Sequence, residues 1–388
     1  PETLRDPHGF AVKFYTQEGN WDLVGNQTPV FFIRDAIKFP DFIHAMKPSP
    51  VTNVQDANRV FDFLSSQPWA TNMLTYVYGK QGVPTSYREQ DGFGVHAYKL
   101  YNDKGEYKYV KFNFRSKQGV KGLNVKEAAE QQGKDFNHLT NDLYNNIYAG
   151  NFPKWDLYIQ VLDPKDLGKF DFDPLDPTKI WPTELVPETK VGTLTLNRMP
   201  KNFFNETEQS AFAPGNLVPG IEPSEDRLLQ GRIFSYSDTQ MYRLGVNHQQ
   251  IPVNRPVIDV NNNNQDGSMN VSERNSDVNY EPSRKEPKAA TAKARALQTP
   301  LSGYVQQIGV KEQNFKQAGD LYRSYTTKEK DDLIMNLAAD LGSVKDSETK
   351  HIMLSYFYKA DADYGMRMTK AVNGDISIVK AKAAKLKD

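Results

Sequence analysis

The 388-residue chain contains no cysteine. Disulfides, thiolate nucleophiles, zinc–thiolate centres and iron–sulfur clusters are excluded with it. Excess charge of one sign is missing too: 48 Lys and Arg balance 48 Asp and Glu, which leaves no global attraction for nucleic acid or an anionic membrane. There is no long hydrophobic run. The best, residues 30–33, is strand-sized and far short of a membrane span. Residues 1–6 carry no signal-peptide pattern. The expectation is a cytoplasmic protein with neither a nucleic-acid nor a membrane partner. None of the six histidines stands in a metal-chelating spacing, and no phosphate-binding glycine loop or nucleophile elbow is present. No pair of carboxylates is marked out for glycoside hydrolysis.

What the chain has is aromatic bulk: 21 Phe, 20 Tyr and 4 Trp, enough for a sizeable core despite a hydrophobic content of 38%. Short aromatic and β-branched runs recur at 10–15, 30–33, 74–78, 95–101, 107–114, 155–161 and 191–196, and each reads as a strand. Asn102-Asp103-Lys104-Gly105 between two of them is a hairpin signal. Many strands at short spacing point to a barrel or a sandwich, interrupted by a helical stretch at 126–146 whose apolar positions are Ala128, Ala129, Leu139 and Leu143.

Residues 200–310 are rich in Pro and Asn, with one helical stretch at 225–243. So long a segment without periodicity builds no core of its own, and it is expected to wrap over another domain. Residues 285–298, rich in Ala and Lys, read as a solvated link. From 312 the pattern is helical. Thr326-x-x-Glu329 is a capping box that opens a helix with Leu333, Leu337 and Leu341 on one face, and Gly342 stops it. Helices are also expected at 348–358 and 364–372.

The chemistry is carried by ordered motifs rather than by composition. Arg232-Ile233-Phe234-Ser235-Tyr236 continues into Tyr242-Arg243-Leu244-Gly245-Val246-Asn247-His248. Upstream stand Arg5-Asp6-Pro7-His8-Gly9-Phe10-Ala11 and Gly19-Asn20-Trp21-Asp22-Leu23-Val24-Gly25-Asn26-Gln27-Thr28-Pro29, and between them Asn202-Phe203-Phe204 and Pro219-Gly220-Ile221. Together these segments resemble the haem-containing monofunctional catalases of the small-subunit type, almost from end to end.

The resemblance implies an α+β fold in three parts. Residues 1–198 would form an antiparallel β-barrel core, incomplete at its N-terminal end and holding the helical insertion. Residues 199–311 would be the wrapping segment that carries the proximal haem helix, and 312–388 the C-terminal helical domain. It also implies haem b as cofactor, hydrogen peroxide as substrate and a homotetramer as the assembly.

Tyr236 would be the axial ligand of the iron. A free phenol, with pKa near 10, is neutral at pH 7, and a ferric ion with a neighbouring cation lowers that value. Arg232, one helical turn earlier, can face the same oxygen. By the same resemblance His96 and Asp226 form a polar chain behind Arg232, and Arg243 meets a haem propionate, for which a guanidinium fork is suited. Val24, Phe31, Phe39 and Phe212 line the pocket. Asn26 is the distal amide that orients peroxide.

The family's general acid/base histidine belongs to a His-Ala-x-Gly motif that does not occur in these residues. The resemblance implies that it precedes Pro1, together with the haem-contacting Arg-Phe-Ser segment. At the family's NADPH site this chain has Asn72 and Gln81 where His and Arg are usual, and Trp181-Pro182-Thr183 for Trp-Pro-His, though Arg115 keeps a positive charge. NADPH binding is therefore not expected. Two other functions stay open at this point, an enzyme for organic hydroperoxides and a non-catalytic haem-binding fragment.

Overall fold

The computed structural model describes residues 2–259, 263–267, 270–271, 274–280, 282–286 and 312–387. Its centre is a curled antiparallel sheet of eight strands: β1 Gly9–Thr16, β2 Gly19–Asn26, β3 Gly92–Phe93, β4 Tyr98–Tyr101, β5 Tyr107–Ser116, β6 Lys154–Leu162, β7 Glu188–Thr195 and β8 Ile221–Pro223. They run in the order β1-β2-β3-β5-β4-β8, and β6 joins β5 to β7 on the other side. Because β3 and β4 pair with different stretches of the same edge of β5, the sheet curls on itself.

The alternation along β5 is imperfect for a physical reason. Val110, Phe112 and Phe114 face inward with Leu23, Tyr98, Trp155 and Leu229. The outward positions Tyr109, Lys111 and Asn113 are buried as well, under a second cluster that includes Phe170, Phe172 and Trp181. A strand covered on both faces loses its polar side.

Two runs expected as strands are not strands. Residues 74–78 belong to a helix, and 30–33 are buried irregular chain. Residues 39–78 hold three helices, α1 Phe39–Met46, α2 Ala57–Ser65 and α3 Thr71–Tyr78. Seven of the eight residues of α3 are buried, so it shows no 3.6-residue period, and Leu74–Tyr78 imitates a buried strand. Two helices, α4 Val125–Lys134 and α5 His138–Tyr148, fill the insertion expected at 126–146.

The proximal helix, α6, spans Arg227–Leu244, and five more follow: α7 Lys316–Ser324, α8 Thr327–Leu341, α9 Ser347–Ala360, α10 Ala362–Ala371 and α11 Ile376–Ala383. The capping box at Thr326 and Glu329 is present in both directions. These C-terminal helices share their core with α1–α3, around Phe61, Met73, Leu333, Leu337, Phe357 and Tyr364. The helical part is thus built from both ends of the chain and packs beside the sheet. Most of the link expected at 285–298 lies outside the described residues.

Candidate functional site

The site is assembled where the start of α6 meets the chain between β3 and β4. Asp226 ends β8's connection and caps α6: one carboxylate oxygen accepts from the backbone N–H of Leu228 and Leu229 at 2.9 and 3.0 Å. Asx caps of this kind satisfy the orphan donors of a first helical turn. The other oxygen meets Nδ1 of His96 at 2.5 Å, with both side chains 1% exposed. Burial pushes the His96 imidazole below its ordinary pKa. Asp226 pulls it up, and the charges of Arg232 and Lys111 push it down again. A neutral ring that donates from Nδ1 to the carboxylate follows.

One helical turn on, Nη2 of Arg232 donates to the Tyr236 hydroxyl at 2.9 Å, and its guanidinium also lies 5.0 Å from the centre of that ring. This is the phenol's one hydrogen bond among the described residues. Gly231 allows the close crossing of α6: a Cβ there would stand 2.2 Å from Cβ of Ala36. Arg227 pairs with Asp35 across the same contact, at 3.5 Å, and Phe39 follows at the start of α1, 41% exposed. Phe31 packs edge-on against Phe32 and Phe42.

On β2, Val24 is buried and Asn26 half-buried, two residues apart on the face opposite inward-pointing Leu23. The Asn26 amide reaches the backbone carbonyl of His8 at 3.4 Å. Arg243, near the end of α6, donates to the carbonyls of Glu208 and Ser210 at 2.7 and 2.6 Å and to the Gln240 side chain at 2.8 Å. It thereby ties down the loop that carries Phe212, and Gln240 grips the Phe212 carbonyl itself.

A further ion pair, Lys13–Asp22 at 2.7 Å, was not singled out from sequence. Asp22 is fully buried and also accepts from Ala213 N–H and Asn216, while Lys13 lies 5.1 Å from the Phe212 ring. Lys13 and Asp22 are direct cross-strand partners in the β1–β2 hairpin. Opposite charges at facing positions of a short hairpin were the legible signal.

The residues present fit a haem. The Tyr236 oxygen accepts from a guanidinium, and a tyrosine oxygen is an axial donor that haem iron accepts. On the face of α6 that bears Tyr236, Leu229 and Gln240 are buried against the chain, while Tyr236 between them is half-buried.

The expected NADPH positions line a separate cavity of about 650 Å³ between the sheet and the C-terminal helices, with Trp181, Arg115 and Gln81 on its walls. Arg115 is held there by Asp91 at 3.1 Å and Glu188 at 2.6 Å. Asn72 instead turns inward, to Thr178 O and Gln317.

A curled antiparallel sheet beside a helix with an arginine-backed tyrosine is the arrangement expected of a haem oxidoreductase. The chain belongs to the catalase family: the model of that family, described as Catalase, matches residues 1–287, and one described as Catalase-related immune-responsive matches 309–372. It is 62% identical over 385 residues to a catalase of Vibrio vulnificus (strain YJ016), covering 98% of this chain and 75% of that protein. A catalase of Pseudomonas syringae pv. syringae is 61% identical over 389 residues, covering 100% and 76%. Among solved structures, a fungal catalase superposes with a TM-score of 0.88 at 37% identity, covering 97% of this chain and 77% of that one. Catalase A from Saccharomyces cerevisiae gives 0.88 at 35% identity, covering 96% and 78%. The chain is accordingly a haem enzyme that dismutates hydrogen peroxide to water and oxygen. Among the described residues no helix is long and apolar enough to cross a membrane.

Proposed function

We propose that Tyr236 is the axial ligand of the haem iron, as tyrosinate, and that the group is haem b. The observation that carries this reading is the 2.9 Å bond from Arg232 to the Tyr236 oxygen. When bound, haem supplies an iron centre that one peroxide molecule oxidises and a second reduces. Everything else is done by side chains. Arg232 holds negative charge on the phenol oxygen. His96 and Asp226 fix the start of α6 and stand behind Arg232 as a polar chain.

Val24, Phe31, Phe39 and Phe212 form apolar walls that keep the site dry, which strengthens each electrostatic contact inside it. The Asn26 amide orients peroxide without transferring a proton. That transfer belongs to the histidine of the family's His-Ala-x-Gly motif. Arg243 keeps N–H groups beyond its two backbone contacts, and these would receive a propionate.

NADPH is not a ligand in this reading, because the Arg115 guanidinium is already paired with Asp91 and Glu188. The assembly is a homotetramer. Exposed Phe203, Phe204, Phe234 and Tyr242 support burial against further copies. The chain divides at about residues 198 and 311 into barrel, wrapping segment and helical domain, and the enzyme works in the cytoplasm. No observation favours an organic-hydroperoxide substrate or a non-catalytic role.

The test is Tyr236→Phe in the full-length protein. Loss of the Soret band and of oxygen evolution is expected. Retained haem with normal turnover would overturn the ligand assignment.

A further inference from the structure

Tyr98 is a buried polar residue that the site described above does not use. It is 0% exposed and opens β4, two residues after His96, opposite Pro223 of β8. Its ring packs in the inner cluster with Val110, Phe112 and Leu229, at 6.3 Å from the Phe112 centroid. Leu229 belongs to α6. Positions 229, 232, 233 and 236 fall on one face of that helix, so Tyr98 lies under the face that presents Arg232 and Tyr236.

Among the described residues the Tyr98 hydroxyl has no hydrogen-bond partner. A buried hydroxyl left in that state costs about 1–3 kcal/mol. Native interiors remove such a cost with internal water that has two to four polar neighbours. Burial holds the phenol up at about 12, and the groups that act on it are Arg232, Asp226, Tyr236 and Asp22. At neutral pH it keeps its proton and is available as a donor.

The acceptors around it differ in what they have left. Asp22 already takes Lys13, Ala213 N–H and Asn216. Asp226 takes two backbone N–H groups and His96. Among the described residues the Tyr236 oxygen takes Arg232 alone. Of these three it is the acceptor with capacity to spare.

We propose that Tyr98 donates through one internal water to the Tyr236 oxygen, which makes Tyr98 a positioning residue of the proximal site. The inference rests on Tyr236 as the axial ligand. The water accepts the Tyr98 O–H and donates one of its own protons to the phenolate. That second donor, beside Arg232, draws electron density from the phenolate and moderates what it gives to the iron. The side chain two residues after His96 thus tunes the ligand without touching the haem.

The test uses the ferric holoenzyme and Tyr98→Phe, which keeps the ring and removes only the oxygen. Haem content is expected to stay at the wild-type level. The resonance Raman bands of the iron-bound phenolate should shift, and the ferric/ferrous midpoint potential should fall as the ligand becomes a stronger donor. Unmoved bands and an unmoved potential in fully loaded Tyr98→Phe would overturn the proposal. If that variant loads haem poorly, a crystal structure of the wild-type holoenzyme decides. A water within hydrogen-bond distance of both oxygens supports the proposal, and a dry gap overturns it.

Tyr236→Phe separates the two readings. If wild type shows phenolate bands that vanish in Tyr236→Phe but stay put in Tyr98→Phe, only the Tyr98 inference fails. If wild type shows no such bands, the axial assignment fails, and this inference falls with it.

Discussion

Asp226 performs two jobs with its two oxygens, and replacing it by Asn and by Ala separates them. One oxygen caps α6 through Leu228 and Leu229, and the other holds His96. Ala removes both. Loss of an N-cap costs about 1 kcal/mol. A His96 ring N–H left unpaired at 1% exposure adds about 1–3 kcal/mol. The sum for Asp226→Ala is about 3 kcal/mol.

Asn keeps a capping oxygen, since it is as good an N-cap as Asp. Its amide nitrogen then faces His96 Nδ1 and can only donate, so the ring must carry its proton on Nε2 and accept at Nδ1. The charge-assisted bond becomes a neutral one, roughly half as strong, at a cost of about 1 kcal/mol. Asn should therefore recover most of what Ala loses. The assay is thermal unfolding of the holoenzyme by far-UV circular dichroism, at matched scan rate and protein concentration because large proteins unfold irreversibly. The order of midpoints should be wild type, then Asn, then Ala, with Asn nearer wild type. Equal losses for Asn and Ala would refute the division of labour between the two oxygens. No loss in Ala would refute the buried contact itself.

Two further outcomes follow from named contacts. A Cβ on Gly25 would stand 1.8 Å from the backbone oxygen of Phe93, so Gly25→Ala must part β2 from β3 at the residue before Asn26. Such overpacking costs about 1–3 kcal/mol, read as a lower unfolding midpoint together with weaker haem retention. The second concerns Lys111, 5% exposed, whose ammonium meets Lys179 O at 3.0 Å and the Trp181 ring at 5.2 Å. Burial pushes its pKa down to about 8 from 10.5. The folded value is the lower one, so stability rises with pH between about 8 and 10.5, and below 8 the full cost of about 3 kcal/mol is present. Lys111→Met should be more stable than wild type at pH 7, after about 1 kcal/mol is set against the lost hydrogen bond. That advantage should vanish by pH 10.5, and a constant difference across the range would contradict the assignment.

The strands of the sheet were legible where one face is apolar and turn residues bound the run. Gly9–Thr16, Tyr107–Ser116 and Lys154–Leu162 each contain the run that marked them, and Glu188–Thr195 holds all of 191–196 but its last residue. The capping box at Thr326 was legible because it is a contact within four residues. Reading failed for α3 and for residues 30–33, where burial on all sides removes the polar positions that give a period its phase.

The proximal site was half legible. Arg232 and Tyr236 are one turn apart, so the helix alone brings them together. His96 and Asp226 lie 130 positions apart, and only the resemblance paired them. Tyr98 went unread, because nothing local distinguishes a buried tyrosine from an exposed one. The facing charges of Lys13 and Asp22 across the β1–β2 hairpin were legible as a pair, but their burial was not.

By itself, then, the sequence determined what its own local geometry can enforce: the strand runs, the capped helices, and an arginine one turn before a tyrosine on the proximal helix. Tertiary structure decided the rest. It wrapped α1–α3 with the C-terminal helices into one core, joined His96 to the cap of α6, and buried Tyr98 with Leu229 of α6, its hydroxyl unpartnered among the described residues. Local patterns depend on neighbours in the chain, whereas burial and pairing depend on which distant surfaces exclude water together, and that is set only when the whole chain has packed.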